Sequence, residues 1–175
     1  MLVTREPGGS EGAEAIRALL MQGDVKRWSA HTEALLFAAA RADHVDKVIR
    51  PAIEAGTWVI TDRFIDSTRA YQGAAGGIDD AAILALHGFG CRGLLPDRTL
   101  LLDLPITEGA RRAALRDGVM ADRFAMRGEH FHAEVGRAFR AFAAREPDRF
   151  RIVDASRSPG DVTAMLLAQL SDLLP

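Results

Sequence analysis

The 175-residue sequence has a single cysteine, Cys91. A lone thiol closes no internal disulfide and builds no cysteine-based zinc site, which points to a reducing, cytoplasmic setting. Long apolar runs are lacking too. The longest uninterrupted one, residues 34–40, is far short of the ~20 residues that cross a bilayer, and the first seven residues do not have the layout of a signal peptide. Nor is there an excess of positive charge: 22 Lys and Arg stand against 24 Asp and Glu, a formal net charge of −2. General nucleic-acid and membrane-surface binders are usually basic, so neither partner is expected, and any phosphate must be met by local arginines. The chain shows no repeat and no low-complexity linker.

What is present is an ordinary globular composition, 48% hydrophobic and 26% charged, in a chain long enough to bury a core as one domain. Short apolar strands alternate with helical patterns, the arrangement of an α/β domain with a mainly parallel sheet. Strands are expected at residues 2–4, 57–61, 99–102 and 150–153. Ser10 is placed to cap a helix carrying Ala13, Ile16, Leu19 and Leu20 at helical spacing. A long helix is expected over residues 30–50, kinked or restarted at Pro51 and ended by Gly56. A helical stretch with Tyr71 leads to a glycine-rich turn at 73–77; Asp79 or Asp80 caps a helix to about residue 86, and Thr107 caps the next. Residues 117–127 read as a loop, 129–144 as a helix burying Phe131, Val135, Phe139 and Phe142, and Ser158-Pro159 opens the last helix.

In open α/β sheets ligands bind beyond the carboxyl ends of the strands. Arg5-Glu6, Asp62-Arg63 and Asp103 fall there. An arginine at such a place forks to phosphate and an aspartate orients Mg²⁺-bound water, although each group taken singly reads equally as a surface ion pair. Phe37 and Arg41, four residues apart, share a helix face. Together they suit a stacked base and its edge, or else a core ring beside a surface charge. Arg111, Arg112, Arg116, Arg123 and Arg127 surround the loop, either as a cover over polyphosphate or as a solvated face.

Taken together these residues resemble the thymidylate kinases. The resemblance covers essentially the whole chain and is carried by Thr4-Arg5-Glu6-Pro7-Gly8-Gly9, by Asp62-Arg63-Phe64 with Ser67-Thr68 and Ala70-Tyr71-Gln72-Gly73, and by Pro96-Asp97 before Leu102-Asp103. Asp122-Arg123-Phe124 with Phe131-His132 and Val135 is a weaker fourth block. The resemblance implies a P-loop NTPase-like three-layer αβα fold and ATP-dependent phosphorylation of dTMP to dTDP, feeding dTTP synthesis in the cytoplasm. It implies a dTMP site made of Arg5, Glu6, Pro7, Phe37, Arg41, Arg63, Thr68, Tyr71 and Gln72, with the Glu6–Pro7 bond cis, Phe37 stacked on thymine and Arg41 at its edge. Arg63 then holds the monophosphate, and Tyr71 disfavours a ribose 2′-hydroxyl. Asp62 helps position that phosphate and the Mg²⁺ environment, and the bacterial-type lid at 117–127 brings Arg116 and Arg123 to the ATP phosphates. The resemblance also implies a homodimer built on helices of the first half.

The sequence departs from the family pattern at Ala125, where an acidic residue is common, and at Gly136, where an arginine is common. A larger departure lies at the front: nothing but Met1, Leu2 and Val3 precedes the Thr-Arg-Glu-Pro-Gly-Gly block, and no G-x-x-x-x-G-K-[ST] occurs, the two lysines being Lys26 and Lys47. That loop holds the donor phosphates and Mg²⁺. The family's first, central strand is likewise expected to be missing, which forfeits roughly 1.5–3 kcal/mol for each of its buried apolar residues. The chain by itself is therefore expected to lack kinase activity, to be marginally stable, and to show a gap beside the strand at Leu2. A start codon placed ~30–40 residues downstream of the natural one, the length of a strand–loop–helix unit, and a non-catalytic dTMP-binding or dimerisation remnant both account for this. Another nucleoside monophosphate kinase is the remaining alternative.

Overall fold

The computed structural model describes residues 1–117 and 123–174. The strands are β1 (Leu2–Thr4), β2 (Val59–Thr61), β3 (Thr99–Asp103) and β4 (Phe150–Asp154). The α-helices are α1 (Glu11–Met21), α2 (Ala30–His44), α3 (Arg50–Glu54), α4 (Ile65–Thr68), α5 (Asp80–Cys91), α6 (Ile106–Asp117), α7 (Glu129–Arg145) and α8 (Pro159–Ala168). Both strand pairings are parallel, as the strand–helix alternation predicts. β1 lies on β2 with Leu2 opposite Val59 and Thr4 opposite Thr61. β3 lies on β4 with Thr99 opposite Phe150 and Asp103 opposite Asp154. Among the described residues no ladder joins the two pairs. The strand at Leu2 thus pairs with β2, and the break in the sheet falls between the two pairs.

The helix starts are chemical. Ser10, Ser29 and Ser158 each accept a hydrogen bond from the backbone N–H three residues on, at Ala13, Thr32 and Asp161, satisfying a donor that the first turn leaves free. Two expected caps differ. Asp79 stands at the N-cap of α5 without a side-chain cap bond. α6 begins at Ile106, one residue before Thr107, so that Thr107 lies inside it. The long helix expected over 30–50 is interrupted by a π-helical turn, Val45–Ile49, and restarts as α3 with Pro51 in its first turn. A second π-turn, Arg69–Ala74, carries Tyr71 and Gln72 directly after α4. α5 continues past the expected residue 86 to Cys91.

Two apolar clusters form the core. Val45, Ile49, Phe64, Ile65, Ile83 and Cys91 pack behind β2. Burial pushes the Cys91 thiol up to about 11, keeping it unreactive. Ala70, Val135, Ala138, Phe142, Ala143 and Phe150 join the second π-turn to α7 and β4. Leu19, expected to point inward, is exposed, whereas Ala13 and Leu20 are fully buried.

Between the clusters runs a buried ionic network that the sequence pattern does not announce. Asp66 on α4 accepts from Arg149 at 2.6 and 2.8 Å, from Arg69 at 3.2 Å and from the Thr99 hydroxyl at 3.4 Å. Arg69 also forks onto Asp80 at 2.8 and 2.9 Å and reaches Glu146 at 2.7 Å, with its guanidinium 4.2 Å above the Phe142 ring.

Removing one partner of such a network strands the others in low dielectric. Asp66→Ala is expected to lower unfolding free energy by about 3–5 kcal/mol, measured as the urea midpoint and slope. The carboxylates of the network also fix an acid limb. Burial works against ionising Glu146, but hydrogen bonds from Arg69 and Arg149 outweigh it and hold the carboxyl below its ordinary 4.5. The Arg69 hydrogen bond holds Asp80 below 3.8. Both groups are depressed in the folded state, so their stabilisation is complete above the ordinary values and lost as pH falls through the folded ones. The urea midpoint is expected to fall below about pH 4, and Asp80→Asn to flatten that decline.

Candidate functional site

A cavity of ≈ 710 Å³ opens at the carboxyl ends of β1 and β2 and reaches across to α6 and α7. Its walls include Glu6, Pro7, Phe37, Arg41, Asp62, Arg63, Thr68, Tyr71 and Gln72. Nine residues singled out in the sequence as far apart as 6 and 72 are therefore brought to one place.

The loop after β1 is shaped by its backbone. Glu6–Pro7 is cis, and Gly8 and Gly9 have φ of 137° and 86°. At Gly9 a side chain is excluded twice over, by the positive φ and because a Cβ would lie 2.2 Å from His44 Nε2. The Glu6 N–H donates to Asp62 Oδ1 at 3.1 Å, tying the ends of the two strands together. The Glu6 side chain points inward and is 4% exposed. Its Oε2 accepts from Arg41 Nε at 2.7 Å, and its Oε1 faces His44 Nδ1 at 3.5 Å. His44 Nε2 is in turn 2.8 Å from the Thr4 hydroxyl. Arg41 Nη2 donates to Thr68 Oγ1 at 2.8 Å. The guanidinium of Arg41 is thus fixed in plane by α2's partners on the β1 loop and on α4, with its remaining nitrogen available to the cavity.

Phe37 lies one helical turn before Arg41 on α2, and its ring sits 5.6 Å from that of Phe124. Tyr71 touches Phe124 and Phe131 edge-on. Arg63 is exposed, its guanidinium 5.2 Å from the Tyr71 ring and its Nη1 3.3 Å from Ser67 Oγ. Asp62 is exposed as well, and its Oδ2 has no hydrogen-bond partner among the described residues. One wall therefore offers aromatic faces and the mouth offers an arginine with unused donors, an arrangement suited to a flat ring carrying an anionic tail.

The other sequence candidates lie elsewhere. Arg5 points away from the cavity and forks onto Glu14 at 3.0 Å on the surface. The Gly9 N–H, together with Arg5, holds the Glu14 carboxyl below its ordinary value despite some burial. Arg123 is not at the cavity wall: its guanidinium is fully buried, donating to the carbonyls of Leu20, Asp24 and Val25 at 2.9–3.3 Å, with Nη2 2.8 Å from Glu33. It closes the carboxyl end of α1, which lacks a cap of its own. Arg111 and Arg112 are held by Glu108 on their own helix. Of the expected lid, residues 118–122 and the side chain of Arg116 lie outside the described residues.

One cavity residue was not singled out, Arg17, which donates to the Pro7 carbonyl at 2.7 Å; Phe124, Arg127 and His132 also line the cavity, although no base contact was expected of them. The fourth sequence block contains Phe124 and His132 but gives no reason to place Phe124 against Phe37.

The family model described as thymidylate kinase matches residues 1–166. A thymidylate kinase of Rhizorhabdus wittichii is 59% identical over 172 residues, covering 98% of this chain and 83% of that protein. One of Caulobacter vibrioides is 49% identical, covering 95% of this chain and 79% of that protein. The crystal structure of thymidylate kinase from Ehrlichia chaffeensis superposes with a TM-score of 0.75 at 29% identity, covering 97% of this chain and 79% of that one. That likeness bears out the P-loop NTPase-like fold class with parallel strands.

Proposed function

The chain belongs to the thymidylate kinase family, and from that premise we propose that it supplies the acceptor site for ATP-dependent phosphorylation of dTMP to dTDP. The observation that carries this reading is the convergence of Phe37, Arg41, Arg63 and Tyr71 on one cavity. Thymine stacks on Phe37, Arg41 donates to a carbonyl at the ring edge, and Thr68 and Gln72 complete the base contacts. Tyr71 packs against the deoxyribose, where it leaves no room for a 2′-hydroxyl. Arg63 forks to the monophosphate, aided by Arg17 at the same mouth.

In the reaction a dTMP phosphate oxygen attacks the γ-phosphorus of ATP in line, and the bond from that phosphorus to the β-bridging oxygen breaks to release ADP. The acceptor oxygen is already anionic at neutral pH, so the residues position and neutralise rather than remove a proton. The family implies Mg²⁺. Among the described residues no three His, Cys, Asp or Glu side chains converge on a metal-sized centre. The open Oδ2 of Asp62 suits an ion that keeps several waters and takes one or two carboxylates plus substrate phosphates. Asp62 would hold it, and it would supply neutralisation of phosphate charge.

The sequence holds no G-x-x-x-x-G-K-[ST], so donor binding by this chain would rest on arginines such as Arg116, and the chain alone is proposed to bind dTMP without turning it over. The protein is proposed to act in the cytoplasm, as one domain and as a homodimer. Exposed Leu35 on α2 and Phe89 on α5, 58% and 87% exposed, support helices of the first half as its contact.

Calorimetric titration is expected to show dTMP binding, weakened by Phe37→Ala by about 1–3 kcal/mol, the usual worth of a base stack. Unchanged affinity in that variant places the base elsewhere. A coupled assay with ATP and Mg²⁺ is expected to show no dTDP formation, and robust turnover overturns the proposed absence of a donor site.

A further inference from the structure

Glu33 on α2 takes no part in the chemistry above, yet it is fully buried and three side chains meet on it. Arg123 Nη2 lies 2.8 Å from its Oε1. Arg127 Nη2 donates to both of its oxygens, at 2.7 and 2.9 Å. Gln72 Nε2 donates to Oε2 at 3.0 Å. A carboxylate gripped by two guanidinium groups accepts hydrogen bonds and donates none. This decides the orientation of the Gln72 amide, whose two ends are otherwise alike in shape. The NH₂ faces Glu33, and the carbonyl Oε1 is left as an acceptor. Gln72 lines the cavity and is 1% exposed, and its Oε1 has no hydrogen-bond partner among the described residues.

Arg127 makes this orientation hard to reverse. Its guanidinium is stacked 4.4 Å from the Phe131 ring and 5.2 Å from that of Phe124. It cannot leave Glu33 without breaking both a charge-assisted pair and two ring contacts. Two fixed cations thus keep the acceptor surface turned toward Gln72.

We propose that Glu33 is a positioning residue that sets the hydrogen-bond polarity of the base pocket. By holding the NH₂ of Gln72 it presents Oε1 to the ligand, and so selects a pyrimidine monophosphate whose ring N3 carries a hydrogen. Thymine and uracil have that hydrogen. Cytosine offers a bare acceptor at N3, which would face another acceptor and leave both unpaired, the arrangement that rejects analogues most strongly. The inference rests on the proposed placement of the base beside Phe37 and Gln72.

The test reads dissociation constants of dTMP, dUMP and dCMP by calorimetry on the full chain. A neutral amide at position 33 donates as readily as it accepts, so in Glu33→Gln the Gln72 amide is free to turn over. The preference for dTMP over dCMP is expected to fall by about tenfold in that variant, while the ratio of dTMP to dUMP, which share the N3 hydrogen, stays constant. A folded variant with an unchanged dTMP-to-dCMP ratio overturns the proposal. So does an equal loss for all three ligands, the mark of a merely structural carboxylate.

If Glu33→Gln does not fold, Glu33→Asp keeps the charge for Arg123, draws the acceptor back from Gln72, and is read in the same way. The unaltered chain gives a further measurement. N3-methyl-dTMP is expected to bind at least about tenfold more weakly than dTMP, and equal affinity overturns the proposal whatever the variants do. Absence of dTMP binding in the unaltered chain sinks the acceptor-site reading underneath. Intact dTMP binding with unaltered discrimination sinks only the role of Glu33.

Discussion

Asp66 joins the two strand pairs. It belongs to α4, which follows β2, yet its carboxylate is spent on the other pair: on Arg149, which immediately precedes β4, and on Thr99, the first residue of β3. No ladder crosses between the pairs among the described residues, so the register of one pair against the other depends on side chains. A buried ion pair is a weak stabiliser by itself, because desolvation opposes the attraction. Here the opposition is reduced by saturation. Both carboxylate oxygens have partners, and the two guanidinium groups are stacked on Phe142 and Phe150 at 4.2 and 4.6 Å. The network therefore acts as a pin more than as a source of bulk stability. The second apolar cluster, in which Ala70 and Tyr71 pack on Val135, Phe142 and Phe150, supplies the non-directional attraction across the same boundary.

The cavity inherits that geometry. Its aromatic wall mixes Phe37 and Tyr71 from the first half with Phe124 from the second, and its far side is lined by residues of α6 and α7. The π-turn Arg69–Ala74 is the shared element. Arg69 faces the ionic pin, Ala70 the apolar cluster, and Tyr71 and Gln72 the cavity. Wide π-turns shift side chains off the usual helical spacing, and at functional sites this lets consecutive residues serve different neighbours. On the opposite side Glu6 does comparable work, joining the ends of β1 and β2 through Asp62 and holding Arg41 in plane through a 2.7 Å pair.

Strand positions and parallel pairing could be read from the sequence because β-branched runs alternate with helical periods, and the serine caps could be read because their chemistry is local. That the residues expected at the base site, all but Arg5, line one cavity was legible because Arg-Glu-Pro-Gly-Gly and Asp-Arg-Phe are dense local signatures. Less legible were the features whose partner is distant. Asp66 and Arg149 are 83 residues apart, and Glu33 and Arg127 are 94 apart. Periodicity gives each of these a face of a helix but not the residue it meets. The π-turns were missed for a related reason: Pro51 signals a discontinuity, but whether the chain breaks, kinks or widens depends on what packs around it. Arg123, which the resemblance brings to the ATP phosphates, is engaged here by Glu33 and three backbone carbonyls, partners that neither its charge nor its motif announces.

All but two of the 22 basic residues are arginine, and the fold uses the difference. A guanidinium has five N–H donors in a rigid plane, so one residue bridges two or three acceptors while its face lies on a ring; an ammonium does neither. The same property sorts the arginines by role. Arg149 gives its hydrogen bonds to Asp66, Thr99 and Glu146, and Arg123 gives its own to Glu33 and the end of α1. Both are consumed by the fold and have little left for a ligand. Among the described residues Arg63 has one hydrogen bond, to Ser67, and Arg17 has one, to the Pro7 carbonyl. Arg127 is bound through a single nitrogen to Glu33, and its buried Nε is without a partner among the described residues. Arg63 is exposed, so its unused donors are met by solvent, whereas the buried Nε of Arg127 is not. Among the described residues, spare guanidinium N–H groups at the cavity wall thus include those of Arg17, Arg63 and Arg127.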